Sequence, residues 1–461
     1  MKFKIAISLV FFLAIINVSF AQKDLECKTK LSLFHPDVKS KNFDRAYEHW
    51  KFVKDSCPEL SIAIYIDGEK ILKDKIKRAS GIDQKGFVEA LVELWKTREV
   101  YFPNRTPDGE YQAKTFQIMY NYKSVLKKSN DELYNGFDKA FNTDKKTFTN
   151  PKSLYTYFSL VVTLNEEGKK TLKEVFDKYD DVNEKIETEV KNYSINLNKL
   201  IEKDDQNIVL TLKEKQRKAS YESYLKNYSL ISENMAKLLD KKADCPNLIQ
   251  LYNRDFQAHE NDSIWLKRAV SRMYYKECTE DELYEKLAIA YDKVAPSADT
   301  KFFVALVLLK KGKTKEAEKY LAQAYELETD SFKKSNLAYR IGLILKKRKS
   351  YTKARNYFRN ALKLNPSSGK PHLAIADMYH DSANNCGDIP FNKRAVYWLA
   401  AKEARKASKV DPTIRNDANK FIKRYEALAP SKEMIFICGC SGQVIKISCW
   451  IQSSIIVPEI K

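Results

Sequence analysis

Along residues 170–203, and again along 209–242, apolar side chains recur three and four positions apart with charged residues between them. In the first stretch Leu172, Phe176, Tyr179, Val182, Ile186 and Val190 share one face of a 3.6-residue helix. Neither stretch holds an internal glycine or proline, so the pattern predicts two long helices turning at residues 204–207 as an antiparallel hairpin. That hairpin is expected to be a rigid spacer, the other reading being an arm that docks a partner.

On either side the apolar runs are shorter and come in pairs. Residues 336–366 place Gly342 in a first helix, then Ala354, Phe358 and Ala361 on one face of a second, and close with Pro366, which a helix cannot continue through. The same spacing returns upstream, where Ala305, Ala317, Leu321 and Ala324 take the corresponding places. Downstream, Ala376 and Tyr379 mark a further first helix, an insertion around Cys386 follows, and the second helix ends at Pro412. Near the N-terminus Ala46, Trp50 and Pro58 keep the interval, as do Ala90, Leu94 and Pro103. Units repeated in series cannot bury their apolar faces alone and are expected to stack. The last stretch, residues 433–451, changes to alternation of apolar and polar positions around Ser441-Gly442. It predicts a β-hairpin that caps the last repeat or offers an edge for strand addition.

These small, aromatic and proline positions resemble the tetratricopeptide repeat (TPR), in which small residues let two helices approach, an aromatic fills the gap and proline ends the pair. The resemblance implies an all-α, TPR-like α-α superhelix (solenoid) with a long helical hairpin insert and a short C-terminal β-hairpin. It also implies a partner-binding groove on the inner face of each first helix. Here that face carries Phe302, Leu306 and Lys310, then Asn336, Tyr339, Leu343, Lys346 and Lys347, then Lys370, Leu373 and Asp377. The mixture of apolar and lysine positions suits an extended, partly acidic peptide. It lacks the lysine and asparagine arrangement of repeats that clamp chaperone C-termini. The ensemble of an N-terminal signal, the Cys-Gly insertion, residues 406–412, residues 430–436 and a terminal Cys-Trp-Ile looks like a group of exported Bacteroidota proteins. Asp262-Ser263-Ile264 and Asp381-Ser382-Ala383 look like the O-glycosylation acceptors of that phylum.

The expected organisation is a signal peptide over 1–21, a helical array over 22–166, the hairpin over 167–243, a second array over 244–430 and the β-hairpin tail over 431–461. The signal rests on Lys2 and Lys4 ahead of an apolar run over 5–20, too short to span a bilayer, and on Ser19-Phe20-Ala21 before Gln22. Export makes pairing of the eight cysteines plausible. Cys27 and Cys57 flank one predicted helix pair, and Cys245 and Cys278 flank another, where each could close a clasp. Cys386, Cys438, Cys440 and Cys449 leave the C-terminal connectivity open, with Cys386 and Cys449 candidates for joining the tail to the insertion.

Charge narrows the partners. The chain carries a formal +20, and residues 301–364 hold 17 Lys and Arg against 5 Asp and Glu. On an exported protein this points to an acidic protein face, anionic glycan or lipid, and away from nucleic acid. Chemistry finds little foothold. His35, His49, His259, His372 and His380 form no H-E-x-x-H pair, and there is no phosphate-binding glycine loop and no G-x-S-x-G. His380-Asp381 is the one polar cluster near the insertion and reads as loop rather than metal site. No catalytic residue, metal or cofactor is assigned. The expectation is a non-enzymatic scaffold of the cell envelope, periplasmic or at the outer membrane, binding envelope proteins in its groove. The alternative is a glycan- or anionic-lipid-binding protein using the basic 301–364 face.

Overall fold

The computed structural model describes residues 22–240 and 242–460, so the expected signal peptide lies outside the described residues. Among the described residues the chain is all-α apart from one two-stranded sheet near its C-terminus. It divides into two compact units, 1–185 and 186–461, and the division falls within the helix Leu172–Asp205.

The first unit stacks consecutive helices over 22–39, Phe43–Ser56, Ala63–Arg78, Gly81–Tyr101, Asp108–Asn121, Asn130–Thr143 and Pro151–Glu166. Cys27, on the first of these, is bonded to Cys57 at the end of the second. Ala46, Trp50 and Val53 form the buried face of Phe43–Ser56. Trp50 packs against Gly68 of the next helix, where an added Cβ would come within 2.6 Å of the indole. Its Nε1 donates 2.7 Å to the Ile64 carbonyl, so the indole buries its area without losing a hydrogen bond. Further on, Phe116 abuts Gly136 in the same way. Phe137, Phe141, Phe148 and Tyr157 then pack together in the core.

The second unit contains three helix pairs in series, Ala298–Lys310 with Thr314–Leu327, Ser331–Lys347 with Tyr351–Leu364, and Lys370–Ser382 with Pro390–Val410. They follow Cys245–His259, Ser263–Tyr275 and Glu282–Val294, the first two being tied by a bond between Cys245 and Cys278. Ala317, Leu321 and Ala324 are buried on one second helix, and Ala354, Phe358 and Ala361 on the next. Gly342 meets the Phe358 ring so closely that an added Cβ would lie 2.5 Å from it. Pro366 stands just beyond the end of Tyr351–Leu364, and Pro412 just beyond Pro390–Val410.

The hairpin expected as a spacer is laid, over its second-unit residues, along the connectors of these pairs. Lys191 binds Asp330, which caps Ser331–Lys347. Asn198 donates 3.1 Å to Asn365 and accepts 2.9 Å from the Ser367 amide, both in the next connector. Asp204 and Asp205 face Lys409 at 3.5 and 3.8 Å, at the end of the third pair. The steps from 191 to 198 to 204 and 205 are about seven residues, roughly 10.5 Å of helix. That matches the 8–10 Å at which neighbouring helices pack, so one straight helix visits every connector. The returning helix Leu212–Asp240 adds Glu222 to Arg415 at 3.4 Å, and Val410 packs on Leu197, Ile201 and Leu225.

The tail departs from the expected strand pairing. Residues Lys432–Cys438 form a helix rather than a strand. Ser431 caps it by accepting from the Met434 amide, only Ile435 is buried, and Gly439 ends it in a left-handed conformation at φ 61°. The sheet comes later, with Val444–Ile447 pairing antiparallel to Ser453–Ile456, Val444 opposite Ile456. Its turn carries Cys449 and Trp450 rather than Ser441-Gly442. Cys449 is bonded to Cys386 and Cys438 to Cys440. Trp450 lies between Tyr351 and Tyr379, donates 2.9 Å to Ser382, and Arg355 donates 2.5 Å to the Ile451 carbonyl.

Two substitutions test this packing. Gly342→Ala should lower stability by about 1–2 kcal/mol despite alanine's better helix propensity, because overpacking costs about 1–3 kcal/mol. The urea midpoint should fall with unchanged slope, and Phe358→Leu in the same chain should restore part of the loss. Asn198→Ala, which leaves the Ser367 amide without its acceptor and takes one of two donors from the Asn365 side chain, should cost about 1–3 kcal/mol. Hydrogen exchange should rise first in residues 365–370; protection unchanged there would show that the hairpin does not hold the connectors.

Candidate functional site

The inner face of the second unit's first helices is where the groove is expected, and the structure distributes its residues unevenly. Phe302 is fully buried, so it supports the face from beneath rather than presenting to a ligand. Leu306 and Leu373 are half-buried, and Asn336, Lys347 and Lys370 are exposed. Tyr339 is half-buried with its ring 5.8 Å from Phe358, and burial raises its phenol above the usual range. Leu343, one turn on, is 39% exposed. These last two put an aromatic and an aliphatic surface side by side on one helix turn.

Three of the expected groove cations and anions are already engaged. Lys310 donates to the backbone carbonyls of Thr279 and Glu280. Lys346 pairs with Asp377 across adjacent first helices. Asp377, His380 and Asp381 lie close enough together to share a cation. Lys346 already neutralises Asp377, however, and Arg424 stands 3.4 Å from His380 Nε2. Two cations next to the cluster oppose a metal there. A second acid–base pair, His372 with Glu403 at 2.5 Å, ties the helices Lys370–Ser382 and Pro390–Val410. Burial pushes the Glu403 carboxyl upward, but its bonds to His372 and Lys406 prevail and hold it below the usual range.

The basic 301–364 stretch is less of a bare positive face than its composition implies. Lys301 pairs with Asp292 at 2.8 Å, Lys353 with Glu318 at 2.8 Å, and Lys311 with Glu285. Arg355 is buried beneath the tail against Trp450. Exposed cations remain at Lys315, Lys319, Lys347, Lys349, Arg359 and Lys363. Of the two glycosylation look-alikes, Ser382 is 4% exposed and accepts from Trp450, which removes it as an acceptor. Ser263 is partly exposed at a helix start.

Sequence reasoning missed Arg340. Its guanidinium carbon sits 3.8 Å from the Phe302 ring centre, 4.8 Å from Tyr274, 5.7 Å from Phe303 and 5.9 Å from Tyr275. Nε and one terminal nitrogen of this arginine are enclosed without a hydrogen-bond partner, and so is the hydroxyl of Tyr284. The signal in the sequence was the pair of aromatic doublets, Tyr274-Tyr275 and Phe302-Phe303, ahead of an arginine beside Tyr339.

Two matches to a repeat family agree with this construction. Residues 298–331 and 335–368 each match a model of the tetratricopeptide repeat. No curated protein matches the chain. Among solved structures, yeast Tom70 is similar at 10% identity, over 90% of this chain and 95% of that one, with a TM-score of 0.29. An IFIT1 monomeric mutant with Gppp-AAAA is similar at 12% identity, over 87% and 90%, TM-score 0.28. The P58(IPK) TPR domain is similar at 11% identity, over 87% and 98%, TM-score 0.22. Repeats of this type generally act as protein-interaction scaffolds without catalytic activity of their own.

Proposed function

We propose that this protein is a non-enzymatic adaptor of the bacterial cell envelope that holds an extended segment of another envelope protein on the first-helix face of its second unit. The observation that carries the reading is the half-exposed pair Tyr339 and Leu343, set between exposed Asn336 and Lys347 within the matched repeat. An aromatic and an aliphatic side chain beside polar groups form a compact anchor for an apolar residue of a partner. Export to the periplasm or outer membrane is supported by the residues 1–21 pattern and by the pairing of all eight cysteines, which an oxidising compartment maintains. No described helix is long and apolar enough to cross a membrane.

The glycan- or lipid-binding alternative rests on the exposed lysines and arginines of 301–364. The ion pairs within that stretch weaken it, since each paired lysine is withdrawn from a ligand.

In-cell crosslinking followed by mass spectrometry tests the adaptor. One envelope protein should be recovered in stoichiometric amount, and Tyr339→Glu with Leu343→Glu should remove it at least tenfold while circular dichroism stays unchanged. Recovery of glycan, lipid or nothing in place of a protein would overturn the adaptor. Cell fractionation and N-terminal sequencing, expected to give Gln22 first, test export separately.

A further inference from the structure

Three of the four disulfides tie separate elements together, and the fourth does not. Cys27–Cys57, Cys245–Cys278 and Cys386–Cys449 bridge separations of 30, 33 and 63 residues, whereas Cys438–Cys440 spans 2. A disulfide stabilises a fold by restricting the unfolded chain, and the effect grows with the loop it closes. So short a span restricts almost nothing. The turn around it is also held by other bonds. The Gly439 amide donates 3.0 Å to the Phe436 carbonyl, and the Gln443 amide 3.1 Å to the Cys440 carbonyl. The Gln443 side chain donates 3.1 Å to the Gly439 carbonyl. The fold does not need this disulfide.

It is also the one that a reagent can reach. Of the eight cysteines only Cys438 is exposed, the others being buried or half-buried. A Cβ added to Gly439 would meet nothing within 4 Å, so the link between the two cysteines borders open space. Cys440, by contrast, packs with Phe391, Ile435 and Val457. Exchange needs one sulfur open to an attacking thiolate and a second that leaves. Exposure assigns the first part to Cys438 and the second to Cys440. Their sulfurs lie 3.2 and 4.0 Å from the Ile435 carbonyl, so each thiol formed on reduction has an acceptor.

We propose that Cys438–Cys440 is a thiol–disulfide exchange site for cysteine thiols of other polypeptides. It goes beyond the adaptor reading and does not depend on it. A partner thiolate attacks Sγ of Cys438, the bond to Cys440 breaks, and Cys440 leaves as a thiolate that takes a proton from water. The second thiolate of the partner then attacks the partner's own sulfur in the mixed disulfide and releases Cys438 as a thiol. Two electrons pass from the partner's two thiols to the pair, and one partner disulfide is made per chain. Phe436 and Ile437, 78% and 75% exposed, immediately precede Cys438. Their apolar surface favours a thiol that comes with apolar neighbours, as a cysteine in an extended chain does, over a small polar thiol.

The test uses the full mature chain in glutathione buffers stepped from oxidising to reducing. Samples are quenched with acid, free thiols are alkylated, and every cysteine is read by peptide mapping. Cys438 and Cys440 should become labelled together in buffers that label the three longer bridges about tenfold less. Labelling no earlier than those bridges would overturn the proposal. Two variants then separate the roles of the sulfurs. Given oxidised glutathione, Cys440→Ala should carry the adduct on Cys438, and Cys438→Ala should carry about tenfold less on Cys440. Equal adducts, or none on Cys438, would refute the assignment. The last arm distinguishes the source of the thiol. An unstructured peptide with one cysteine between Phe and Leu should add to Cys438 of the unsubstituted chain about tenfold faster than reduced glutathione does. Equal rates would make the natural thiol a small molecule and overturn the polypeptide source.

Discussion

Helices in this protein approach one another because a glycine on one leaves room for an aromatic ring on the next. Gly342 faces Phe358, Gly68 faces Trp50 and Gly136 faces Phe116, and in each case a Cβ would overlap the ring. A ring held against bare backbone excludes water and sets the distance between two helix axes. Once that distance is set, Ala354 and Ala361 can be fully buried on either side of Phe358. The remaining first-helix side chains are then turned onto one surface, which is how Tyr339 and Leu343 come to be presented together.

What the contact does not determine is how many such pairs stand in a row or how they are tilted. In the second unit that is the work of the long helix, whose residues 191 to 205 meet three successive connectors. Its bonds are few and modest, two ion pairs or two hydrogen bonds per step at most, yet they fall at nearly equal intervals on a rod that resists bending. The arrangement turns local bonds into a constraint on the whole row.

The repeats were legible because small and aromatic residues at fixed offsets have only one packing that satisfies them. Phe358 and Pro366 identified their places without help from the structure. The periodicity of 170–203 showed which side of the helix was apolar, but a stripe does not say what it will meet, and its polar residues, Lys191 and Asn198, bear the connector contacts. In the tail, residues 433–438 alternate as a strand would. The serine cap at 431 and the burial of Ile435 alone favour a helical turn, a preference set by Phe391, which is distant in sequence. Phe302 was assigned to the inner face by its frame position. The depth at which it lies was not written in that frame, since it depends on Arg340 and Tyr274 from neighbouring pairs covering it.

The helix that spans the connectors also limits what duplication can do to this protein. Repeat arrays ordinarily lengthen by copying one unit, because each new unit needs only its neighbours. Here an extra pair inserted after 366 would carry the third connector about one helix diameter beyond Asp204 and Asp205, out of reach of Lys409. The long helix would have to gain two turns in the same event, and its returning partner two more. Array length in this chain is therefore inherited as a measured quantity, set by a segment tens of residues away from the repeats it counts.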